Sequence, residues 1–143
     1  MATARGLRLR DDLEEEIRRE AEALGRSWSA LVNEMLGEAL RMRRVPGIVF
    51  TNGPGGRRAS LAGTGLDVWE VVATWKAEGE DPQALALCYP TLSEPQLRSA
   101  LAYYQLYPAE IEARLERERS WTPERLAREM PFLTPGLTPA RKG

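Results

Sequence analysis

Residues 4–44 read ARGLRLRDDLEEEIRREAEALGRSWSALVNEMLGEALRMRR, and the way this run folds decides what the chain is. Its first seven residues alternate in character. In an extended segment Leu7 and Leu9 share one face and Gly6, Arg8 and Arg10 the other, because successive strand side chains point to opposite sides. Asp11 and Asp12 then place negative charge where the first turn of a helix favours it. Leu13, Ile17, Ala21 and Leu24 follow at intervals of about one turn. Gly25 stops this helix. Ser27 opens the next as an N-cap, and Leu31, Val32, Met35, Leu36, Ala39 and Leu40 form its apolar stripe.

A strand followed by two helices does not solve its own packing problem. The lone strand leaves its backbone groups unpaired, and two helices supply too small a core to fold alone. A second copy, pairing strand to antiparallel strand about a two-fold axis, would bury Leu7 and Leu9 and interlock the helices. Arg8 then faces outward on a two-stranded ribbon of the size that enters a DNA major groove. The helix opening at Ser27, with Trp28 and Ser29 in its first turn, offers backbone donors to a phosphate.

The segment LRLRDDLEEEIRREAEALGRSWSALVNEML, residues 7–36, resembles the ribbon-helix-helix family of repressors and antitoxins, to which MetJ, Arc and CopG belong. The alternating strand, the acidic helix start at Asp11-Asp12-Leu13, the turn through Gly25 to Ser29 and the Leu31-Val32-Asn33-Glu34 run carry the likeness. By that resemblance Ala4, Gly6 and Arg8 occupy the base-facing strand positions, and Ser27, Trp28 and Ser29 clamp phosphate. Ala4 and Gly6 have no polar side-chain atoms, so Arg8 alone would hydrogen-bond bases through its side chain. Either sequence discrimination is low or Arg5 and Arg10 contribute from the edges.

The chain has 143 residues, 43% hydrophobic and 29% charged, enough for one domain or two small ones. The net charge is -1, so any DNA contact must come from local clustering rather than a global basic excess. One cysteine and no histidine exclude an internal disulfide and fit a reducing cytoplasm. The lack of histidine removes the usual general base and the commonest zinc ligand. No cofactor or metal is expected, and no catalytic residue: Cys88 falls on a helix expected to be buried, and the carboxylates at Asp11-Asp12 and Glu14-Glu15-Glu16 lie on an exposed helix start with no implied pocket. No apolar run reaches membrane-spanning length and no signal-peptide core is present, which predicts a cytoplasmic protein without a membrane anchor.

Val45-Pro46-Gly47 interrupts the helical pattern and reads as a linker. Ile48-Val49-Phe50 and Arg57-Arg58-Ala59-Ser60-Leu61, joined by Gly53-Pro54-Gly55-Gly56, predict a hairpin. A phosphate-binding Gly loop is excluded, because no Gly-Lys-Ser/Thr follows and no helix opens there. Arg57 and Arg58 are expected to be solvated or to touch a phosphate. From Asp67 the period becomes helical, with Val68, Val71, Val72 and Trp75 on one face. Asp81-Pro82 starts a short second helix carrying Ala84, Leu85, Leu87 and Cys88, which Tyr89-Pro90 ends. Ser93 and Gln96 have capping-box spacing before a third helix, with Leu97, Leu101 and Tyr104 on its buried side and Gln96, Arg98, Ser99 and Tyr103 exposed. This order is that of a helix-turn-helix.

The run from Pro46-Gly47-Ile48 to Tyr107, within which residues 63–104 read GTGLDVWEVVATWKAEGEDPQALALCYPTLSEPQLRSALAYY, also resembles a known family, the small uncharacterised helix-turn-helix-type domain found in VapB-type bacterial antitoxins paired with PIN-like toxins. Gly63-Thr64-Gly65, Val68-Trp69, the Tyr89-Pro90-Thr91-Leu92 turn and the run from Leu97 to Tyr104 carry that likeness. That family commonly has Arg after Gly-Thr where this chain has Gly65. With Arg98 as its one arginine, the third helix supplies little charge against phosphate, so protein contact or structural use is expected of it.

Residues 109–119 are highly charged, with Glu110 and Arg114 placed as an i,i+4 pair, and read as a solvated helix. Thr122-Pro123-Glu124 starts a further short helix. Trp121, Leu126, Met130, Phe132 and Leu133 are large apolar anchors around it, followed by a Pro- and Gly-rich tail at 134–143. These anchors either pack on their own domain or enter a groove on another protein. The antitoxin resemblance implies toxin binding by this segment, with Trp121, Arg125, Leu126, Met130, Phe132 and Leu133 as the contact set and Arg125 or Arg128 approaching an acidic nuclease site.

The sequence thus predicts a mainly α protein. Residues 1–44 form a ribbon-helix-helix whose two-stranded ribbon lies between subunits, residues 45–119 a hairpin plus helix-turn-helix-like domain, and residues 120–143 a partner-binding or packing tail. The function it implies is that of a DNA-binding antitoxin of a type II toxin-antitoxin system, repressing its own operon and neutralising a PIN-like ribonuclease toxin. Its partners would be a second copy or higher oligomer, operator DNA and the toxin. A dimeric transcriptional repressor with a ligand-sensing or oligomerising second domain is the alternative.

Overall fold

The structure, a computed structural model, describes residues 6–133. Ala4 and Arg5, assigned to the DNA face above, and the tail at 134–143 lie outside the described residues. The chain is mainly helical, with a single two-stranded antiparallel sheet among those residues, and it divides into two compact units between Pro46 and Gly47.

In the first unit, α1 (Asp11–Leu24) begins with Asp11, Asp12 and Glu14 in its first turn and ends at Gly25 with φ 63°. The left-handed residue there closes two capping bonds, from the Gly25 N–H to Glu22 O and from the Arg26 N–H to Ala21 O, a pair that glycine permits because it has no Cβ to clash. Helix α2 (Trp28–Arg44) follows, capped by Ser27 Oγ, which accepts from the Ala30 N–H at 3.1 Å. The core is small. Ile17, Ala21, Leu31 and Val32 are buried, and Leu9 and Trp28 pack against them. The rest of the apolar stripe stays in solvent: Leu36 is 56% exposed, Leu40 50% and Leu7 58%. Residues 6–10 belong to no strand within the single chain.

In the second unit, β1 (Ile48–Gly53) pairs antiparallel with β2 (Gly56–Leu61), Ile48 opposite Leu61 and Gly53 opposite Gly56, leaving Pro54 and Gly55 as the turn. Helix α3 (Val68–Ala77) starts at Asp67, whose N–H donates to the Glu70 carboxylate at 2.8 Å. Asp81 caps α4 (Pro82–Cys88) by accepting from the Gln83 N–H, and Ser93 with Gln96 makes the capping box of α5 (Glu94–Leu106). Then come α6 (Pro108–Arg119), α7 (Pro123–Glu129) and a 3-10 turn at Pro131–Leu133. Val68, Val71 and Val72 of α3 are fully buried and form the centre, with Ile48, Ala59, Leu61, Leu85, Leu97, Ala100, Tyr103, Ile111 and Leu115 completing the core.

Four sequence expectations need correction here. Tyr103, expected to be exposed, has no exposed surface. The buried face of α5 is Leu97, Ala100 and Tyr103, while Leu101 and Tyr104 are half-buried beside it. The Tyr103 hydroxyl is satisfied by donating to Glu110 Oε2 at 2.6 Å, which removes the penalty for an unpaired buried polar group. Helix α6 is not a free solvated helix: Ile111 and Leu115 are buried as it packs on α3 and α5. Leu87 and Cys88 are exposed, Leu87 at 83%, because the two-turn α4 buries only Leu85.

Candidate nucleic-acid interface

Arg8 is exposed on the segment that precedes α1, and Gly6, Leu7 and Arg10 are exposed as well. Beneath Arg8 lies a cavity of about 480 Å³ that it lines together with Leu7, Leu9, Asp11, Glu14 and Trp28. Two carboxylates therefore stand near the arginine assigned to base contact. Arg10 Nε is 3.5 Å from Asp12 Oδ1 with both side chains largely in solvent, so that pair contributes little and yields readily to a phosphate.

At the start of α2 the backbone N–H groups of Trp28 and Ser29 precede the first intrahelical donors and have no acceptor among the described residues. Such orphan donors, at the positive end of the helix dipole, suit an anion. Asn33 Nδ2 donates to Ser29 O at 2.8 Å, and Arg26 Nη1 pairs with Glu34 Oε1 at 2.8 Å; both fix this turn. The Trp28 indole N–H is buried without an acceptor among the described residues, a burden of roughly 1–3 kcal/mol for a desolvated donor. The structure thus brings Arg8 and Trp28 to one cavity and leaves Ser27 engaged as a cap.

Beside this face runs an apolar groove of about 410 Å³ lined by Leu7, Leu9, Leu13, Ile17, Val32, Met35, Leu36 and Ala39, with Glu16 and Glu20 at its margin.

The C-terminal set is placed in part. Thr122 Oγ1 caps α7 by accepting from the Arg125 N–H at 3.2 Å. The Arg125 guanidinium lies 4.3 Å from the centre of the Trp121 ring, pairs with Glu129 Oε1 at 3.0 Å and donates to Ser120 Oγ at 3.1 Å. Arg125 is therefore committed within its own segment, whereas Arg128 is exposed. Leu126 and Met130 are half-buried, and Phe132 and Leu133 are exposed.

Two clusters were not anticipated from the sequence. Buried Asp67 accepts through Oδ1 from the Ser60 hydroxyl at 2.7 Å and through Oδ2 from Trp69 Nε1 at 3.1 Å, while Arg58 Nε stands 3.2 Å from Oδ2. Hydrogen bonds to a charged group contribute about 1.5–3 kcal/mol each, so this carboxylate staples the hairpin to α3. Arg58 is accordingly half-buried and paired, not simply solvated. The second cluster is Lys76, Tyr104 and Glu112: Lys76 Nζ lies 2.6 Å from Glu112 Oε1, and the Tyr104 hydroxyl donates to the same oxygen. Asp67 was recognisable only as a helix start, and no signal linked Tyr104 to a glutamate across the Tyr107-Pro108 break.

Among the described residues no group of three or more His, Cys, Asp or Glu side chains is placed to hold a metal ion, and no helix is long and apolar enough to cross a membrane. The family model described as "Protein of unknown function (DUF433)" matches residues 48–104, from β1 to within α5. No curated protein matches the chain. The crystal structure of a DUF433 member protein from Anabaena variabilis ATCC 29413 is similar at 27% sequence identity and a TM-score of 0.43, over 69% of this chain and 95% of that one.

Proposed function

We propose that the chain is a homodimeric DNA-binding antitoxin of a type II system, which represses its own operon through the first unit and silences a PIN-like ribonuclease toxin through residues 120–133 and beyond. The observation that carries the reading is the uncovered apolar face of the first unit. Leu7, Leu13, Met35, Leu36 and Leu40 are exposed next to a segment with no strand partner among the described residues. Covering such a side chain is worth about 1.5–3 kcal/mol, and a second copy covers all of them while pairing the two segments as a ribbon. Arg8 from each copy then meets the major groove, where a bidentate contact to guanine discriminates by roughly 1–3 kcal/mol. Exposed Phe132 and Leu133 support a partner-binding role for the C-terminal segment.

The alternative, a repressor with a ligand-sensing second unit, draws on a cavity of about 300 Å³ lined by Leu85, Leu92, Leu97 and Leu101. A single set of binding measurements separates the readings. Operator DNA is taken from upstream of the gene, and the toxin from the adjacent short gene that an antitoxin requires. Arg8→Ala should weaken operator binding and flatten its sequence preference with the dimer intact. A chain ending at Ser120 should keep the operator and lose the toxin. An unchanged gel shift for Arg8→Ala removes the DNA assignment, and toxin retained by the shortened chain removes the assignment of the tail.

A further inference from the structure

Around the tip of the β1–β2 hairpin, arginines converge from two elements. Arg57 and Arg58 leave the turn along β2, and Arg114 and Arg117 approach it from one face of α6. The Nη1 atoms of Arg114 and Arg117 each stand 3.4 Å from the point a Cβ on Gly55 would occupy, and Arg58 Nη1 stands 2.7 Å from the equivalent point on Gly53. The Nη1 atoms of the two α6 arginines are thus no more than ~7 Å apart, close enough to meet one phosphate group or two neighbouring ones.

Part of this charge is held internally. Arg58 pairs with Asp67, Arg114 pairs with Glu118 at 2.8 Å, and the Arg114 guanidinium lies 5.1 Å from the centre of the Trp69 ring. Part is not. Arg117 is exposed and has no carboxylate partner among the described residues, and Arg114 Nε is buried without an acceptor among them. Arg57 belongs with the held group: it is exposed, and its Nη1 donates to Asn52 Oδ1 at 3.1 Å. The glycines at the tip carry no side chain to hold a ligand away from the guanidinium forks, whose geometry matches phosphate oxygens.

We infer that the hairpin tip and α6 form a second nucleic-acid contact, which grips the phosphate backbone without reading bases. An acidic protein partner is the poorer fit, because protein interfaces centre on apolar anchors. None of the exposed large apolar side chains among the described residues lies on β1, β2 or α6. Although α6 also carries glutamates, the four arginines around the tip outnumber the two carboxylates paired with them, Asp67 and Glu118, and a polar surface with that local excess suits a nucleic-acid interface. The site requires neither the dimer nor Arg8, so it stands apart from the proposed function.

The test is the binding of the full chain to a random-sequence DNA duplex, read by fluorescence anisotropy between 50 and 200 mM salt. Each phosphate contact contributes about 0.9 to the slope of log K against log salt. Arg57→Gln combined with Arg117→Gln should therefore lower the slope by roughly two, seen as an about tenfold smaller loss of affinity over that range. Arg117→Gln alone, at an exposed position with no ion pair to break, should give half that drop, and Arg117→Lys should give none. An unchanged slope in the variants overturns the inference. So does competition by polyglutamate equal to that of DNA at matched charge, which would make the surface an acidic-peptide site.

Discussion

Glu112 illustrates how one carboxylate can couple two helices and make that coupling depend on pH. The Lys76 ammonium and then the Tyr104 hydroxyl hold its pKa below the ordinary glutamate value, and the Glu112 carboxylate and then the Tyr104 hydroxyl raise Lys76 above the ordinary lysine value. A lowered carboxylate contributes stability that is complete above the unfolded value, about 4.3, and is lost as pH falls through the folded one. A raised ammonium contributes below about 10.4 and loses its contribution as pH rises through its folded value. Both side chains are partly in solvent, so salt screens the pair. Glu112→Gln should lower the melting temperature at pH 7 and show a shallower fall than the parent below about pH 4.3. Melting curves from pH 3 to 8 that run parallel for the two proteins would show that the pair does not link α3 to α6. Asp67 sits deeper, and its Ser60, Trp69 and Arg58 partners make it a fixed staple.

Among the elements, those whose ends are set by neighbouring residues could be read from the sequence. Gly25, Ser27, Asp81-Pro82 and Ser93 with Gln96 each stop or start a helix by a bond to a group a few residues away, so the pattern carries its own cause. The hairpin was legible for the same reason. Elements whose burial depends on distant chain were misread. Helix α6 is dense in Glu and Arg, and only Ile111 and Leu115, one turn apart, face the core. That stripe is too narrow to distinguish from a solvated helix without knowing that α3 lies opposite. Tyr103 was misplaced because its anchor, Glu110, lies beyond a helix break. In the candidate site, Ser27 could be read locally as the cap of α2, whereas the arginines around Gly55 meet only when α6 folds back on the hairpin. Ile111→Ala should cost about 2–5 kcal/mol, as deletion of a core aliphatic does. In denaturant titrations a change within about 0.5 kcal/mol would return α6 to the status of a surface helix.

For the molecule as a whole, the first unit sets the requirement. Four buried apolar side chains, with Leu9 and Trp28 against them, are a thin core for the backbone they must order. The exposed Leu7, Leu36 and Leu40 are the surface from which the missing stability can come. If a second copy supplies it, folding is linked to association, and the melting temperature must rise with protein concentration. Leu36 lies within the groove, while Glu16 and Glu20 stand at its edge. A carboxylate at position 36 would be desolvated on pairing and would meet like charge. Leu36→Glu should therefore give a monomer by sedimentation at concentrations where the parent is dimeric, abolish the concentration dependence of melting, and weaken operator binding at least tenfold. The loss follows because a single Arg8 segment has no partner strand with which to form the ribbon. A parent protein that sediments as a monomer throughout, with melting independent of concentration, would take away the ribbon and the DNA-reading face that depends on it.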